Sequence, residues 1–512
     1  SGRAAFDAAA GRLLELLDEA QQQGLRCVWP GRIPFRLKAR ADLRQVSLEF
    51  VSAKEWFAAD GELVIGDGEA IALAKLLQLM RQRPDSRFVE LGKGEFLALS
   101  ATLKQQLDTL QAFSQPVSKE DGARKVHPMA LLALDELIDN ATLKADAAWK
   151  KQRKRVSRAM TEEPVLPSAL TADLRGYQRE GFAWLARLGQ IGAGACLADD
   201  MGLGKTVQAL ALLLSRAEGG PQLVVAPTSV TGNWFAEAQR FAPSLTLHDY
   251  AGSGGGGAGG VGERRETLLA GLGPYDLVVA SYGLLVNDAE RLAGVHWHSV
   301  VLDEAQAIKN AATRRAKSAR ALVADCRVVT TGTPVQNNLM DLHSLFTFLN
   351  PRLLGSEAAF RKRFALPITR DGDAHAREQL QRLVAPFLLR RHKRDVLREL
   401  PARTDVTLEV TLSAEEAALY ESMRRDALDA LEAGRDDDGE APEKFEVLSH
   451  LTRLRRLCCH PALAAPGWTG AASKLELFTQ TLSELIEGGH KALVFSQFVD
   501  HLKLAEQALQ AR

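Results

Sequence analysis

The residues best equipped for chemistry lie in "CLADDMGLGKTVQAL", Cys196 to Leu210. Gly202 and Gly204 let backbone N–H groups converge on phosphate oxygens without Cβ clashes. The helix predicted to open at Lys205 adds a favourable positive end. Lys205 can pair with outer phosphates, and Thr206 can place its hydroxyl on Mg²⁺. Asp199 stands where the general phosphate-loop pattern asks for glycine, so the loop alone leaves a nucleotide site undecided.

Other clusters supply what phosphate chemistry also needs. "VVLDEAQAIKN", Val300 to Asn310, is an apolar run ending in Asp303-Glu304. An acid at a strand's carboxyl end in a doubly wound sheet lies beside the phosphate site. Asp303 is placed to hold Mg²⁺ through water, and Glu304 to orient and deprotonate an attacking water. "TTGTPVQNN", Thr330 to Asn338, offers small hydroxyl residues and a Gly-Thr-Pro turn, suited to sensing the phosphate end. Upstream, "LRGYQREGFAWL" presents Tyr177 as a flat stacking face and Gln178 as one donor and one acceptor for an adenine edge.

Such groups must be held by a sheet. The runs "ACLAD", "QLVVAPT", "DLVVASY", "SVVLDEA" and "RVVTTGT" alternate with helical segments from about residue 168. Continuous apolar strands separated by helices predict an α/β parallel sheet covered on both faces. Residues 1–160 are expected to form a separate α+β region: "RLLELLDEAQ" and "ATLKQQLDTLQAF" have helical spacing, and "RFVELGKGEFLALS" has two strands about a turn. Lys150 to Arg155 form a basic run, expected as a linker or solvated helix end. The glycine-rich Ala251–Gly262 and the acidic Gly434–Glu443 are expected as loops. Residues 340–470 are mainly helical in pattern, with a strand-like "TDVTLEVTL"; the part from Arg361 to Arg403 carries twelve Lys and Arg against five acids, a density that could approach a phosphate backbone. "KALVFSQF", Lys491 to Phe498, is predicted as a further buried strand.

The totals exclude several classes. Apolar residues make up 46% and charged residues 25% of the 512, with zero net charge, so any nucleic-acid binding rests on local patches. Five cysteines without a CxxC pair suggest a reducing compartment and no disulfide framework. Cys458-Cys459-His460 is expected within a helix and not as a zinc site. No apolar run reaches the roughly 18 residues needed to cross a bilayer, so no membrane partner is expected.

In order and spacing, these elements resemble the Swi/Snf-type ATPases of helicase superfamily two, over roughly residues 170–500. "LADDMGLGKTVQ" resembles the family's first motif, where an acid is common at the place of Asp199. "VVAPTSVTGNW" and "VVASYGLL" resemble motifs Ia and Ib, and "LDEAQAIKN" resembles the Asp-Glu-Ala-His box with Gln306 in the His place. "TTGTPVQNNLMDLHSLFTFLNP" resembles motif III, and "PFLLRRHKRDVLRELPAR" the helical insertions; Gly176 departs from a frequent proline. The resemblance implies RecA-like lobes clamping ATP with Mg²⁺. Asp199, Met201, Gly202, Leu203, Gly204, Lys205, Thr206 and Val207 would join Tyr177 and Gln178 at the nucleotide. Thr206 and Asp303 would hold the metal. Gln306, Thr331, Gly332, Thr333, Gln336 and Asn337 would couple it to a track on double-stranded DNA, made in part by Thr228, Ser229, Ser281 and Tyr282. The implied layout is an accessory region (1–160), a first lobe (168–350), a helical brace (351–472) and the start of a second lobe (473–512). Motifs V and VI, with the arginine finger, are expected beyond Arg512, so the chain given is expected to bind ATP weakly at best and to hydrolyse it poorly. A cytoplasmic, nucleoid-associated bacterial motor that displaces a DNA-bound protein such as RNA polymerase is the implied role. A strand-separating helicase and an ATP-gated DNA-binding scaffold are the alternatives.

Overall fold

The computed structural model describes residues 2–25, 36–53, 56–65, 69–84, 86–92, 94–116, 124–252, 261–332, 338–396, 405–433 and 444–511. Thr333, Gln336, Asn337, Cys27, the acidic loop 434–443 and most of the glycine-rich loop lie outside these residues. Two compact units are present, Ser1–Leu400 and Pro401–Arg512. Their boundary falls inside the region expected as one helical brace.

The first unit is organised by seven strands: β1 (Ala195–Leu197), β2 (Gln222–Ala226), β3 (Thr246–Asp249), β4 (Asp276–Ser281), β5 (His296–Leu302), β6 (Val323–Thr330) and β7 (Leu388–Leu389). They lie in the order β3-β4-β2-β5-β6-β1-β7 and every pairing is parallel. This is the expected α/β doubly wound sheet. Burial explains the apolar runs. All five residues of β2 are buried, and Leu277 to Ala280 and Val300 to Leu302 are covered on both faces. Each fully buried Val or Leu contributes about 2 kcal/mol. β7 escaped the sequence reading, because two residues between helices carry no period.

Helices α1 (Gly176–Ile191), α2 (Lys205–Arg216), α3 (Thr228–Phe241), α4 (Tyr282–Asn287) and α5 (Leu339–Leu349) cover the sheet. In α2 the stripe Val207, Leu210, Ala211 and Leu214 is buried, and so are the residues between, since helices flank it on both sides. Gly194 leads into β1 where a Cβ would come 2.4 Å from Leu349 O. There Asn350, just past α5, accepts from Gly194 N at 2.9 Å and donates to Gly194 O at 3.0 Å.

The N-terminal region has the expected mixed content. Phe88–Gly92 and Glu95–Leu99 are the two expected strands, paired antiparallel, and Ala101–Ala112 is the helix after them. A second sheet runs Ser114–Pro116, Arg124–Val126, Phe57–Ile65, Val46–Ser52, Thr142–Ala145, with Glu69–Ala72 alongside Phe57–Ile65. The region packs within the first unit: Arg363 donates to Gln111 O at 2.9 Å and Arg155 to Gln190 O at 2.9 Å. The basic run is a correction to the linker expectation. It lies inside the helix Ala147–Thr161, whose Trp149 and Val156 are buried while its lysines face solvent.

The second unit contains the helices Ala414–Ala433, Lys444–Cys459, Ser473–Glu487 and Val499–Gln510. Buried Glu416 joins two helix starts, accepting from Ser413 N at 2.9 Å and Ser473 N at 3.0 Å. Burial opposes its charge, yet these bonds and those of the serine hydroxyls hold its pKa below the ordinary value. Two strand expectations fail here. Residues 405–412 and 491–496 are not strands, and Leu493 and Phe495 are 85% and 86% exposed. A strand exists through its ladder partner, and none lies beside either segment among the described residues. Cys458 and Cys459 close their helix, half-buried.

Candidate nucleotide site

Six loops converge because parallel strands present all their carboxyl ends to one edge. After β1 the chain turns through Gly202 and Gly204, at φ of 83° and 74°, values that favour glycine. A Cβ on Gly204 would meet Gln178 Nε2 at 2.4 Å. Lys205 then opens α2. Its ammonium donates to Asp199 O at 2.8 Å and Asp200 O at 3.3 Å. Burial lowers its pKa, against the raising pull of Glu304, Asp199, Asp303 and Asp200. Thr206, half-buried, follows in the first helical turn. Met201 is exposed at the loop tip and lies beside Gly332, whereas Leu203 and Val207 are buried beneath.

After β5, Asp303 is buried and held by three donors among the described residues. Its Oδ2 accepts from Trp234 Nε1 at 2.9 Å; its Oδ1 accepts from Glu304 N at 2.9 Å and from the Thr330 hydroxyl. Trp234 was missed as a site residue, although it closes the motif that begins in β2; its period on α3 is that of any core tryptophan. Trp234→Phe removes the indole donor from a buried carboxylate. It is expected to cost about 2 kcal/mol of stability, measured by denaturant unfolding; no loss would show that the bond is dispensable.

Glu304 takes φ of 48°, rare for a residue with a side chain, and its Oε2 accepts from Gln306 Nε2 at 2.9 Å. The Thr331 hydroxyl donates to Gln306 Oε1 at 3.3 Å. One amide thus bridges the acid after β5 to the hydroxyl after β6, which brings together Glu304, Gln306 and Thr331.

Other expected residues are placed differently. Gln178 donates to Leu203 O at 3.2 Å and accepts from Arg175 N at 3.0 Å, so both ends of its amide meet backbone. Tyr177 donates to the same Leu203 O at 3.2 Å. Asp199 is fully buried and faces away from the loop's outer surface, ion-paired with Arg391. Thr228 and Ser229 are exposed at the start of α3. Ser281 and Tyr282 do not share their exposure. Ser281 Oγ accepts from Leu284 N at 3.2 Å, capping α4, and Tyr282 is buried with its hydroxyl donating to Asp303 O at 2.8 Å. Burial, with Asp303 and Glu304 near, pushes the Tyr282 phenol well above its usual pKa. The side chains expected to form a track at 281–282 thus face the protein: Ser281 caps α4, and Tyr282 supports the acid after β5. In the basic stretch 361–403, Arg363, Arg382 and Arg391 bond backbone or carboxylates within the unit.

A glycine turn and lysine after β1, acids after β5 and a hydroxyl after β6 thus lie on one edge of a parallel sheet, the arrangement that a phosphate loop calls for. The sequence model for the SNF2-related domain matches residues 177–463. Over 444 residues the chain is 35% identical to YwqA of Bacillus subtilis (strain 168), whose name describes an ATP-dependent helicase/translocase; the match covers 83% of this chain and 45% of that protein. It is 35% identical over 364 residues to the ISWI chromatin-remodeling complex ATPase CHR11 of Arabidopsis thaliana, covering 68% of this chain and 33% of the other. The Sulfolobus solfataricus SWI2/SNF2 ATPase core in complex with dsDNA aligns at 35% identity over 67% of this chain and 71% of its own, with a TM-score of 0.43. The chain belongs to the SNF2-related domain family. It spans less than half the length of these two curated relatives. No helix among the described residues is long and apolar enough to cross a membrane.

Proposed function

We propose that this site binds ATP with Mg²⁺ and belongs to a motor that moves along double-stranded DNA, displacing or remodelling protein bound there. The observation that carries the reading is the hydrogen-bonded path Glu304–Gln306–Thr331, set on the same sheet edge as Lys205 and Asp303. It ties a candidate base to the loop expected to sense phosphate.

The donor set suits the cofactor. The turn at Gly202 and Gly204 leaves backbone N–H groups free of Cβ obstruction, and Lys205 is a cation inside a ring of acids. Thr206 and Asp303 would hold Mg²⁺; Asp303 Oδ2 accepts from Trp234 and has two lone pairs, so it can accept again. ATP supplies the phosphoanhydride bond whose hydrolysis drives the motor. Lys205 would steady the outer phosphates, Glu304 would take a proton from water, and Gln306 would hold Glu304 in place.

The duplex-DNA assignment is supported by relatives named as a translocase and a chromatin-remodelling ATPase. Thr228 and Ser229, exposed at a helix start, suit phosphate contacts that position without reading sequence. A protein target such as RNA polymerase and a place on the cytoplasmic nucleoid fit this reading.

The test is ATP turnover by the whole protein with duplexes of unrelated sequence, alongside unwinding of a forked duplex. Blunt duplex of any sequence is expected to stimulate turnover, less at high salt, without separating strands. Stimulation by single strands alone, or efficient unwinding, would favour the strand-separating helicase; DNA binding without turnover would favour the scaffold.

A further inference from the structure

The acid at 199, which departs from the general phosphate-loop pattern, has a partner 192 residues away. Asp199 Oδ1 accepts from Arg391 N at 3.1 Å and Arg391 Nε at 3.0 Å, and Arg391 Nη2 reaches Asp199 Oδ2 at 2.5 Å. The same guanidinium donates to Gln208 Oε1 in α2 at 2.8 Å and to the Tyr177 carbonyl in α1, and it lies 5.3 Å from the Tyr177 ring centroid. Gln208 in turn donates to Gly204 O at 3.2 Å. Backbone bonds run beside these contacts, Ala198 N to Leu389 O at 2.7 Å and Asp200 N to Arg391 O at 3.0 Å, and Lys393 N donates to the Asp200 carboxylate at 3.1 Å. Space for the cluster depends on Gly181, where a Cβ would fall 1.9 Å from Gln208 Oε1 and 2.7 Å from Arg391 Nη2.

Arg391 therefore touches the phosphate loop, the helix after it and the helix that carries Tyr177 and Gln178. It lies two residues past β7, which follows the helix Ala374–Val384. Phe387, just before β7, is fully buried, and Trp184 of α1 donates to Pro386 O at 3.3 Å, so the strand is anchored to the core.

We propose that Arg391 is a positioning residue of the nucleotide site: it fixes the floor of the phosphate loop through Asp199 and Gln208, and ties that floor to the helical segment preceding β7. The proposal rests on the reading of this loop as an ATP site. An arginine suits the role because its planar fork meets a carboxylate, an amide and a carbonyl together; a lysine ammonium is a single point charge. A purely structural ion pair would matter only through the burial of its charges. Removing one partner would leave an uncompensated charge, and replacing both by apolar groups would restore stability.

That difference gives the test. Melting temperature and equilibrium affinity for a fluorescent ATP analogue with Mg²⁺ are measured on the whole chain for wild type, Arg391→Met, Arg391→Lys, the double variant Asp199→Leu with Arg391→Met, and Lys205→Ala. Arg391→Met is expected to lower the melting temperature and weaken ATP affinity by roughly tenfold to a hundredfold, the scale of a misplaced site. Arg391→Lys is expected not to rescue affinity. The double variant is expected to regain most of the melting temperature while ATP affinity stays weak. Recovery of both in the double variant, or full affinity in Arg391→Lys, would overturn the proposal and leave the pair a stability element. Unchanged affinity in Lys205→Ala would instead overturn the ATP-site reading beneath it.

Discussion

Glu304→Gln is expected to bind ATP about as well as the wild type and to turn it over roughly 10²- to 10⁴-fold more slowly, the usual contribution of a positioned general base. The amide keeps the size of the carboxylate and retains an oxygen that can accept from Gln306 Nε2, so the bridge to Thr331 can persist. The backbone should also hold: φ of 48° is imposed from outside, by Asp303 Oδ1 accepting from Glu304 N and by Glu304 O accepting from Ala307 N at 3.1 Å. What is lost is the capacity to take a proton from water. Single-turnover hydrolysis and equilibrium binding, measured on the same preparation of the whole protein, separate the two effects. Equal loss of binding and turnover would mean that Glu304 shapes the pocket and is not its base.

Lys205→Ala is expected to weaken ATP binding by roughly a hundredfold. A charge-assisted hydrogen bond to phosphate contributes up to about 3 kcal/mol, and each 1.4 kcal/mol is about a factor of ten. The surroundings favour the upper part of that range. Glu304, Asp199, Asp303 and Asp200 all act on the ammonium, so its removal also leaves phosphate facing acids with no cation between them. The fold should tolerate the change, because the carbonyls of Asp199 and Asp200 lose only one side-chain donor. Turnover should fall with binding at subsaturating ATP. A variant with normal affinity would contradict the assignment of the loop.

Much of this architecture was legible because parallel strands buried on both faces must be continuously apolar, and Leu223 to Ala226, Leu277 to Ala280 and Val300 to Leu302 are. The glycine turn with Lys205 and the pair Asp303-Glu304 were legible as candidates because the loops past the carboxyl ends of such strands share one edge. Local pattern does not say which side of a turn a side chain takes. Ser281 and Tyr282 follow β4 as Thr228 and Ser229 follow β2, yet the first pair turns inward to cap α4 and brace Asp303, and the second stays exposed. Arg391 was hidden more deeply. β7 is two residues long, and the basic composition around it suggested contact with an external phosphate backbone, whereas Arg391 meets a carboxylate 192 residues earlier. Lys491 to Phe498 had every local mark of a buried strand, but burial and pairing are supplied by neighbours, and Leu493 and Phe495 are exposed.

Asp199 connects these points. As a departure from the phosphate-loop pattern it first counted against a nucleotide site. Buried against Arg391, it becomes a reason for the loop to hold its shape, and glycine at that position would leave the guanidinium without its carboxylate.

The claim on which the rest depends is that the turn after β1 holds ATP. Calorimetric titration of the chain with ATP and Mg²⁺ tests it directly. The expected result is saturable binding at one site per chain, competed by ADP and lost in Lys205→Ala. Absence of binding, or binding that survives that substitution unchanged, would contradict the account.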